Sequence, residues 1–292
     1  MTTVTAVVVH YGPAAPTVDL VRRIDGYPDE IVVVANDGAP RPAGLPSTVD
    51  WIVAERNLGY GSAFMAAVHG RSADAYLLLN NDIVLSHAAY RRCLDVLLST
   101  PDTGIVAPVL RYADGTLQSG AARLSRWRRA PQVLIEPGPA PVECEWVTGA
   151  VMFIRREVAE TIGMDGSFFL GAEDADLCIR ARRKHWRVVC CGDAPAVHHR
   201  SQVITGPRWT YYSIRNRVWL ARANFGPVSV ALSWLAGLAA LPRLAFGDAF
   251  LRKDFSVSRL GLLALAHAWM RKPARAEGPL PDEPLAGRVI RW

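Results

Sequence analysis

The sequence is poor in cysteine, with five in 292 residues, and two of these, Cys190 and Cys191, are adjacent. An odd number of cysteines gives no disulfide framework, and no pair has the C-x-x-C spacing of a structural zinc site. These absences exclude the disulfide-rich secreted class and the simple zinc modules. We expect the cysteines to be core residues of a protein in a reducing compartment.

The N-terminal residues also lack the features of a secretory signal. The apolar run in "MTTVTAVVVHYG" is short, has no basic leader and has no small-residue cleavage site after it. We interpret it as a first β-strand and expect a cytoplasmic protein.

Nucleic-acid-binding motifs are missing as well. The net charge of +6 favours anionic partners, but charge alone does not choose between nucleic acid, a nucleotide diphosphate and acidic lipid. The arginines are spread along the chain without a zinc finger, a helix-turn-helix or an aromatic RNA-binding motif. We therefore expect no nucleic-acid partner.

The first hundred residues alternate short apolar runs with helical patterns, and half of all residues are apolar, which is enough for a sizeable core. Strands that are apolar throughout and separated by helices indicate a parallel sheet covered on both faces. The pattern predicts an α/β fold with a mostly parallel central sheet. The predicted strands are "TAVVVH", "EIVVVA", "WIVA" and "AYLLLN", and the predicted helices lie near 17–25, 61–71 and 87–99.

Polar side chains follow each of these strands. Ligands of such sheets bind beyond the carboxyl ends of the strands, so one site could collect all of these side chains. They are His10, Tyr11, Asn36, Asp37, residues 55–57 and residues 80–82. Short strands and turns between 104 and 154 are expected to border the site. A later strand, "VVCC", is expected to be followed by a loop, "APAVHH", at the same edge.

The stretch "LLLNNDIVL" places Asn80, Asn81 and Asp82 directly after a buried strand. A carboxylate and amides can hold a hard divalent cation against a diphosphate, because Mg²⁺ and Mn²⁺ prefer oxygen ligands. The same residues also commonly begin a helix or a turn. The motif alone leaves both interpretations open.

The stretch "FFLGAEDADLCIRARRKHW" contains three acids, Glu173, Asp174 and Asp176. Acids are favoured in the first turn of a helix by the helix macrodipole. However, these three repel one another, and the preceding Phe168 and Phe169 predict desolvation, which a carboxylate tolerates only with a partner or a task. An acidic helix start and a general base both fit.

The histidine pair His198 and His199 gives a weaker signal, because a loop histidine is more often structural than metal-bound. If the loop returns to the ligand edge of the sheet, an imidazole could complete the coordination begun by Asp82.

The C-terminal third contains a predicted basic helix at 207–224 and two apolar stretches, at 227–246 and 260–270. The first stretch has the length of a membrane span, but Pro242 interrupts its end. A core-facing helix is one interpretation, and an interfacial hairpin on anionic lipid is the one that we prefer. The flanking basic residues are Arg252, Lys253, Arg271, Lys272 and Arg275.

Six segments in this order resemble family 2 glycosyltransferases with a GT-A fold, particularly the rhamnosyltransferase-like branch that builds bacterial cell-surface glycans. The resemblance covers about residues 4–200. We expect a catalytic domain over 1–206, with its nucleotide-sugar half to about 110 and its acceptor half over 111–206. A helical extension over 207–272 and a flexible tail over 273–292 would follow. The segments are "VVVHY", "VVVANDGAP", "ERNLGYGSAF", "LLLNND", "WVTGAVMFIRREVAETIGMDGSFFLGAEDADLCIRARRKHWRV" and "APAVHH".

The resemblance implies roles for the acids. Asp82, at the last position of the D-x-D motif of the family, would bind Mg²⁺ or Mn²⁺ bridging the diphosphate of a nucleotide sugar, with His198 as a further ligand. Asp174 would be the general base that removes the acceptor proton, and the anomeric configuration would invert. Glu173 would orient the acceptor, and Asp176 would pair with the arginines at 180, 182 and 183.

The resemblance also implies a binding surface for each substrate. Gly59 and Gly61 would allow close backbone approach. The residues expected at the nucleotide and donor are His10, Tyr11, Asp37, Arg56, Asn57, Gly59, Asn80 and Asn81. Those expected at the sugar or acceptor are Trp146, Thr148, Gly149 and Asp176.

Three places depart from the pattern of the family. Asn80 replaces the first Asp of D-x-D, which predicts modest metal affinity and a larger contribution from His198. Ala35 stands where relatives often have Asp, and Phe64 and Met65 stand where they often have Asn.

The expected function is transfer of L-rhamnose from dTDP-L-rhamnose to a cell-surface glycan or a lipid-linked saccharide, by an enzyme peripheral to the inner face of the membrane. UDP-sugars, GDP-mannose and any oligomeric state stay open. Two alternatives are a transferase acting on a soluble secondary metabolite and a catalytically silent nucleotide-sugar-binding module. A nucleotidyltransferase is disfavoured because "HYGPAAP" replaces its glycine-rich start after the first strand.

Overall fold

A computed structural model of the protein describes residues 2–124, 131–135, 137–199, 207–249 and 255–270. The strands are β1 (Val4–His10), β2 (Glu30–Ala35), β3 (Asp50–Val53), β4 (Ala75–Asn80), β5 (Ile83–Val84), β6 (Thr103–Arg111), β7 (Leu117–Ser119), β8 (Ala121–Leu124), β9 (Pro131–Ile135), β10 (Pro141–Glu143), β11 (Val151–Arg155) and β12 (Arg187–His198). The helices are α1 (Ala14–Ile24), α2 (Tyr60–Val68), α3 (His87–Ser99), α4 (Arg156–Thr161), α5 (Glu173–Arg183), α6 (Pro207–Asn224), α7 (Pro227–Gly247) and α8 (Ser256–Trp269).

The central sheet has the strand order β10-β12-β6-β11-β4-β1-β2-β3, with β5 on β12 and β7 on β6. The first four strands pair in parallel, as predicted. β11 then runs antiparallel between β4 and β6, so the sheet as a whole is mixed. The α/β class with helices around a central sheet is confirmed. Parallel pairing joins β1 to β4 in the N-terminal half and also joins β6 to β12.

The core has two layers because successive strand residues point to opposite faces of the sheet. In β1, Val4, Ala6 and Val8 pack with α1 and α3 on one face. Val7 and Val9 pack with α2, α4 and α5 on the other face. Both faces are covered, which explains why β1 is apolar at almost every position.

The prediction for "APAVHH" is wrong. This segment is the second half of β12, which pairs with β6 across a register shift between Cys191 and Pro195 and then with β5. The pairing with β5 sets His198 opposite Ile83, one residue from Asp82. The segment therefore does reach the ligand edge of the sheet, but as a strand.

The predicted helix at 207–224 is α6, and the two apolar stretches form α7 and α8. These three helices pack on one another, and α6 also packs on α5. Among the described residues, α7 is one helix that is long and apolar enough to cross a membrane. The predicted tail over 273–292 and the five basic residues that flank the apolar stretches lie outside the described residues.

Candidate active site

A cavity of about 320 Å³ opens beyond the carboxyl ends of β1, β2 and β4. The polar residues at the strand ends line one wall, and the start of α5 lines another. The start of α6 also borders the cavity. Its polar lining residues are Tyr11, Asn36, Asn57, Tyr60, Asn80, Asn81, Asp82, Thr148, Glu173, Asp174, His198 and Arg208. The two acidic motifs singled out in the sequence thus face one space.

Asp82 and His198 meet in this cavity. Asp82 is 9% exposed, and its Oδ1 lies 3.1 Å from Nε2 of His198. Nδ1 of His198 lies 2.9 Å from Oε1 of Gln118 on β7. Because that oxygen can only accept, Nδ1 is the donor in this contact. A neutral imidazole then has the Nε2 lone pair available for a cation held between it and Asp82.

The pair fits a divalent cation. Ligands at about 2.1 Å in an octahedral shell lie about 3 Å apart, which is the separation between the Asp82 and His198 atoms. In the described part of the chain, no cluster of three His, Cys, Asp or Glu side chains could hold a metal ion. The protein would therefore give two ligands and leave the other positions to water and phosphate oxygens, as Mg²⁺ sites commonly do.

Asp174 lies in the first turn of α5, which begins after Ala172 in a left-handed conformation (φ 78°). Backbone N–H groups of Gly149 and Ala175 donate to its two carboxylate oxygens at 2.9 and 2.7 Å. The pKa of Asp174 is raised, because the effect of burial outweighs that of these hydrogen bonds, which favour the ionised form. The carboxylate is held in one orientation within the cavity.

The neighbouring acid, Glu173, is buried as well and its pKa is also raised. It is 4% exposed, and its Oε2 is buried without a hydrogen-bond partner. Burial, with a smaller effect of the neighbouring Asp174, raises the pKa of Glu173 to about 8. The two adjacent acids therefore differ in protonation. Glu173 holds its proton at neutral pH, whereas the two N–H donors stabilise the ionised form of Asp174 and make it the better base.

The loop before these acids is held by two residues of α6. The side-chain amide of Asn216 donates to the carbonyls of Phe168, Leu170 and Gly171 at 3.0, 2.8 and 2.6 Å. Arg215, 1% exposed, donates to the carbonyl of Phe168 at 2.8 Å. The first helix of the predicted C-terminal extension thus fixes one wall of the cavity.

Gly59 meets this loop from the other side. It has φ +78°, and a Cβ on it would lie 2.4 Å from the carbonyl oxygen of Phe169. The adjacent Tyr60 N–H donates to that same oxygen at 2.7 Å. Gly59 lines the cavity, but glycine is required there because the backbone approaches Phe169 and not because it approaches a ligand. Gly61 packs against Met164 and Glu173.

Three of the eight residues expected at the donor, His10, Asp37 and Arg56, do not line the cavity. His10 is fully buried, its Nδ1 lies 2.6 Å from Oγ1 of Thr17, and burial lowers its pKa. Asp37 accepts hydrogen bonds from the backbone of Gly12 and Ala39, outside the lining residues.

Of the other donor candidates, Tyr11, Asn57, Asn80 and Asn81 line the cavity and Arg56 does not. Oδ1 of Asn57 is used within the protein, because it accepts from Asn36 and from the N–H of Gly59.

The acceptor-side candidates also divide. Thr148 and Gly149 line the cavity. Trp146 does not line it and packs in the core beneath. Asp176 is 1% exposed and bonds Arg180 at 2.6 Å and Asn224 at 2.7 Å, so its role is structural.

Several lining residues are not predicted by the sequence pattern. Asn36 directly follows a strand, but its Oδ1 also accepts from the N–H of Leu58 at 2.7 Å and orders the turn before α2. Tyr60 donates to the carbonyl of Gly149 at 2.7 Å. Arg208, Trp209 and Tyr212 come from α6, and a signal for them was the aromatic and basic start of that helix, "PRWTYY".

Comparison with known proteins gives two named relatives in sequence, while no family model matches. The O-antigen biosynthesis protein RfbC of Myxococcus xanthus is 27% identical over 197 residues, which are 60% of this chain and 15% of RfbC. The N-acetylglucosaminyl-diphospho-decaprenol L-rhamnosyltransferase of Mycobacterium tuberculosis is 26% identical over 200 residues, 57% of this chain and 64% of the relative. The match thus spans less than two thirds of the length of either relative.

Two solved structures show the same fold. GalNAc-T7 with UDP, GalNAc and Mn²⁺ superposes with a TM-score of 0.60 at 12% identity, over 90% of this chain and 54% of that one. The mannosyltransferase PcManGT of Pyrobaculum calidifontis, in complex with GDP-Man and Mn²⁺, gives 0.55 at 17% identity, over 92% and 87% of the two chains. The chain therefore has the GT-A fold, and the resemblance of its sequence to family 2, rhamnosyltransferase-like glycosyltransferases is confirmed.

Proposed function

We propose that the protein is an inverting glycosyltransferase that moves a sugar from a nucleotide diphosphate to a hydroxyl group of an acceptor. The observation that carries the proposal is that Asp82, His198, Glu173 and Asp174 line one cavity. Such a transfer requires a group that neutralises the leaving diphosphate and a group that accepts a proton. Asp82 with His198 would bind a cation for the first task, and the adjacent carboxyl groups of Glu173 and Asp174 would serve the second. The cation would neutralise the charge of the leaving diphosphate, and a carboxylate would accept the proton of the acceptor hydroxyl.

Asp174 is the base in this proposal. Its carboxylate takes the proton of the acceptor hydroxyl while the hydroxyl oxygen attacks the anomeric carbon. The bond from that carbon to the diphosphate oxygen breaks, the nucleotide diphosphate leaves with the electron pair, and the configuration inverts. The N–H groups of Gly149 and Ala175 hold the Asp174 carboxylate in place for the proton transfer.

Asp82 and His198 would hold Mg²⁺ or Mn²⁺, which supplies Lewis-acid neutralisation of the diphosphate. Among the described residues that line the cavity, Arg208 is the one arginine, and it adds positive charge at the mouth. Asn80 and Asn81 contribute neutral polar groups at the same wall. The replacement of the first D-x-D acid by Asn80 is compatible with this arrangement, because His198 would supply the second ligand beside Asp82.

We further propose L-rhamnose from dTDP-L-rhamnose as the donor and a lipid-linked saccharide or cell-surface glycan as the acceptor. The names of the two sequence relatives support the sugar and these acceptor classes. Residues 1–206 would be the catalytic domain, with its nucleotide-sugar half to about 110 and its acceptor half over 111–206. Residues 207–272 would be an extension that completes the site through α6.

A thermal-shift panel tests the donor. The purified protein is heated with dTDP-, UDP- and GDP-sugars, each with and without Mn²⁺. A donor at about 100 times its Kd stabilises the folded state by about 2.7 kcal/mol. We expect the largest shift with dTDP-L-rhamnose and Mn²⁺. A panel in which no nucleotide sugar shifts the melting temperature contradicts the proposal.

A further inference from the structure

The outer face of α7 is apolar where a helix of a soluble domain would be polar. Val228, Leu235 and Leu238 are 70%, 52% and 42% exposed. The buried positions of the helix repeat every four residues and hold small side chains, namely Ser229, Ser233 and Gly237. This is the reverse of the usual amphipathic pattern, in which the large apolar side chains face the core.

The neighbouring α8 continues the same face. Phe255, Leu262 and Trp269 recur at helical spacing and are 64%, 59% and 73% exposed. Trp269 and Leu235 line the same open groove between the helices. Contiguous exposed apolar surface of this kind marks an interaction site rather than ordinary surface variation.

The exposed charged side chains of α7 and α8 are basic. In residues 227–249 and 255–270 the arginines are Arg243 and Arg259, and the single acid is Asp248. That acid is fully buried and accepts from the N–H of Ser258. Arg243 on α7 and Arg259 on α8 are exposed beside the apolar residues. Apolar residues edged by arginine are complementary to an anionic lipid surface.

The packing of α7 excludes a membrane-spanning orientation of the intact fold. A Cβ on Gly237 would lie 2.8 Å from Leu265 of α8 and 3.2 Å from Ile214 of α6, so the middle of α7 is seated on both helices. Ile214 precedes Arg215, which bonds the loop beside Asp174. A spanning α7 would draw the polar cavity beside α6 toward the hydrocarbon core, where its polar groups would lose water.

From these observations we propose that the α7–α8 face, defined as the exposed apolar residues of these two helices with Arg243 and Arg259, docks on an anionic lipid bilayer. The helices lie in the interface and do not cross it. This proposal goes beyond the transfer reaction and does not rest on it. Through α6, docking would hold the mouth of the cavity at a fixed place near the membrane surface.

Flotation of the full chain with vesicles tests the proposal. We expect the protein to float with phosphatidylcholine vesicles that contain phosphatidylglycerol and to float far less with phosphatidylcholine alone. Adding salt should weaken binding, because the charge contribution is screened. The double variant Leu238→Gln and Leu262→Gln should bind about tenfold or more weakly, because each leucine loses part of its transfer into lipid.

The matched control is Val53→Gln with Leu98→Gln. These residues are 51% and 40% exposed, on β3 and α3, and their replacement should leave vesicle binding unchanged. The melting temperatures of both double variants report whether the fold is intact. Absence of flotation, equal weakening by both double variants, or a stable dimer broken by the α7–α8 variant without vesicle binding would overturn the proposal. Resistance to carbonate extraction would also overturn it, because it indicates a spanning helix.

Discussion

Oδ1 of Asp82 and Nε2 of His198 lie 3.1 Å apart, although 115 residues separate them in the chain. The contact exists because β5, directly after Asp82, pairs with the end of β12. Gln118 sits behind the imidazole at 2.9 Å and orients it. These three side chains form the candidate metal site.

The first prediction concerns this site. Asp82→Asn should abolish the Mn²⁺-dependent part of donor binding, because it removes the one formal negative charge of the ligand pair. Gln118→Leu should weaken Mn²⁺ binding by about 10–100-fold, which is the usual loss when a partner behind a metal-ligating histidine is removed. Isothermal titration with Mn²⁺ and donor measures both. The control is Asp19→Asn on the exposed side of α1, and equal Mn²⁺ affinity in Asp82→Asn and this control would rule out the site.

The second prediction concerns the pH dependence of stability. Because its pKa is raised to about 8, Glu173 keeps its proton in the folded protein and loses it at about 4.5 when unfolded. The folded state therefore binds more protons between these values, and the free energy of unfolding falls as pH rises through this window. Glu173→Gln should remove this pH dependence. In urea unfolding, the free energy of unfolding of the variant minus that of the parent protein should therefore grow from pH 5 to about pH 8. A constant difference across this range would contradict the protonated state of Glu173.

The third prediction concerns Gly59, where a close contact and a backbone conformation that is essentially restricted to glycine (φ 78°, ψ 171°) occur together. Gly59 and Gly70 have nearly the same φ, +78° and +76°, but a Cβ would meet the carbonyl of Phe169 at Gly59 and open space at Gly70. Gly70→Ala should cost only the left-handed strain, about 1–2 kcal/mol. Gly59→Ala should cost clearly more and should also lower transfer activity, since the displaced loop leads to Asp174. Equal unfolding free energies for the two variants would contradict both the tight contact at Phe169 and the added strain of the Gly59 backbone conformation.

The fourth prediction concerns the reach of α6 into the site. Asn216→Ala leaves three loop carbonyls without their shared donor and should lower kcat more than it raises KM, because the loop positions the base. Asn224→Ala is the matched control: it is also a buried asparagine of α6, but it bonds Asp176 on the other side of α5. Both should destabilise by about 1–3 kcal/mol. Steady-state kinetics below the melting transition should show the kcat loss in Asn216→Ala alone; the same loss in both would indicate a general stability effect.

The strands could be predicted from the local pattern of apolar residues. The position of the acidic motifs at Asp82 and Asp174 beside one cavity could be predicted because ligands of such sheets bind at the carboxyl ends of the strands. Apolar runs report buried strands, and the carboxyl ends of parallel strands collect at one edge. The rule also placed His10 there, but it could not show that Thr17, one turn into α1, would bond the imidazole and bury it.

The pairing of β12 with β6 could not be predicted from the sequence, because it joins segments that are far apart in the chain. The segment Gly192 to Pro195 contains turn-forming residues, yet β12 continues through it because β6 pairs with both of its halves. Arg208, Trp209 and Tyr212 were missed for a similar reason. They reach the cavity only because α6 is anchored on the loop at Phe168 through Arg215 and Asn216, contacts that no spacing in the sequence encodes.

The most direct test of the central claim is the rate of sugar transfer by Asp174→Asn compared with the parent protein, with donor binding measured on the same samples. Removing a general base lowers the rate by about 10²–10⁴-fold. We predict a loss in this range for transfer from dTDP-L-rhamnose in the presence of Mn²⁺, with the affinity for the donor nearly unchanged. Transfer that continues at the parental rate in Asp174→Asn would contradict the assignment of Asp174 as the base.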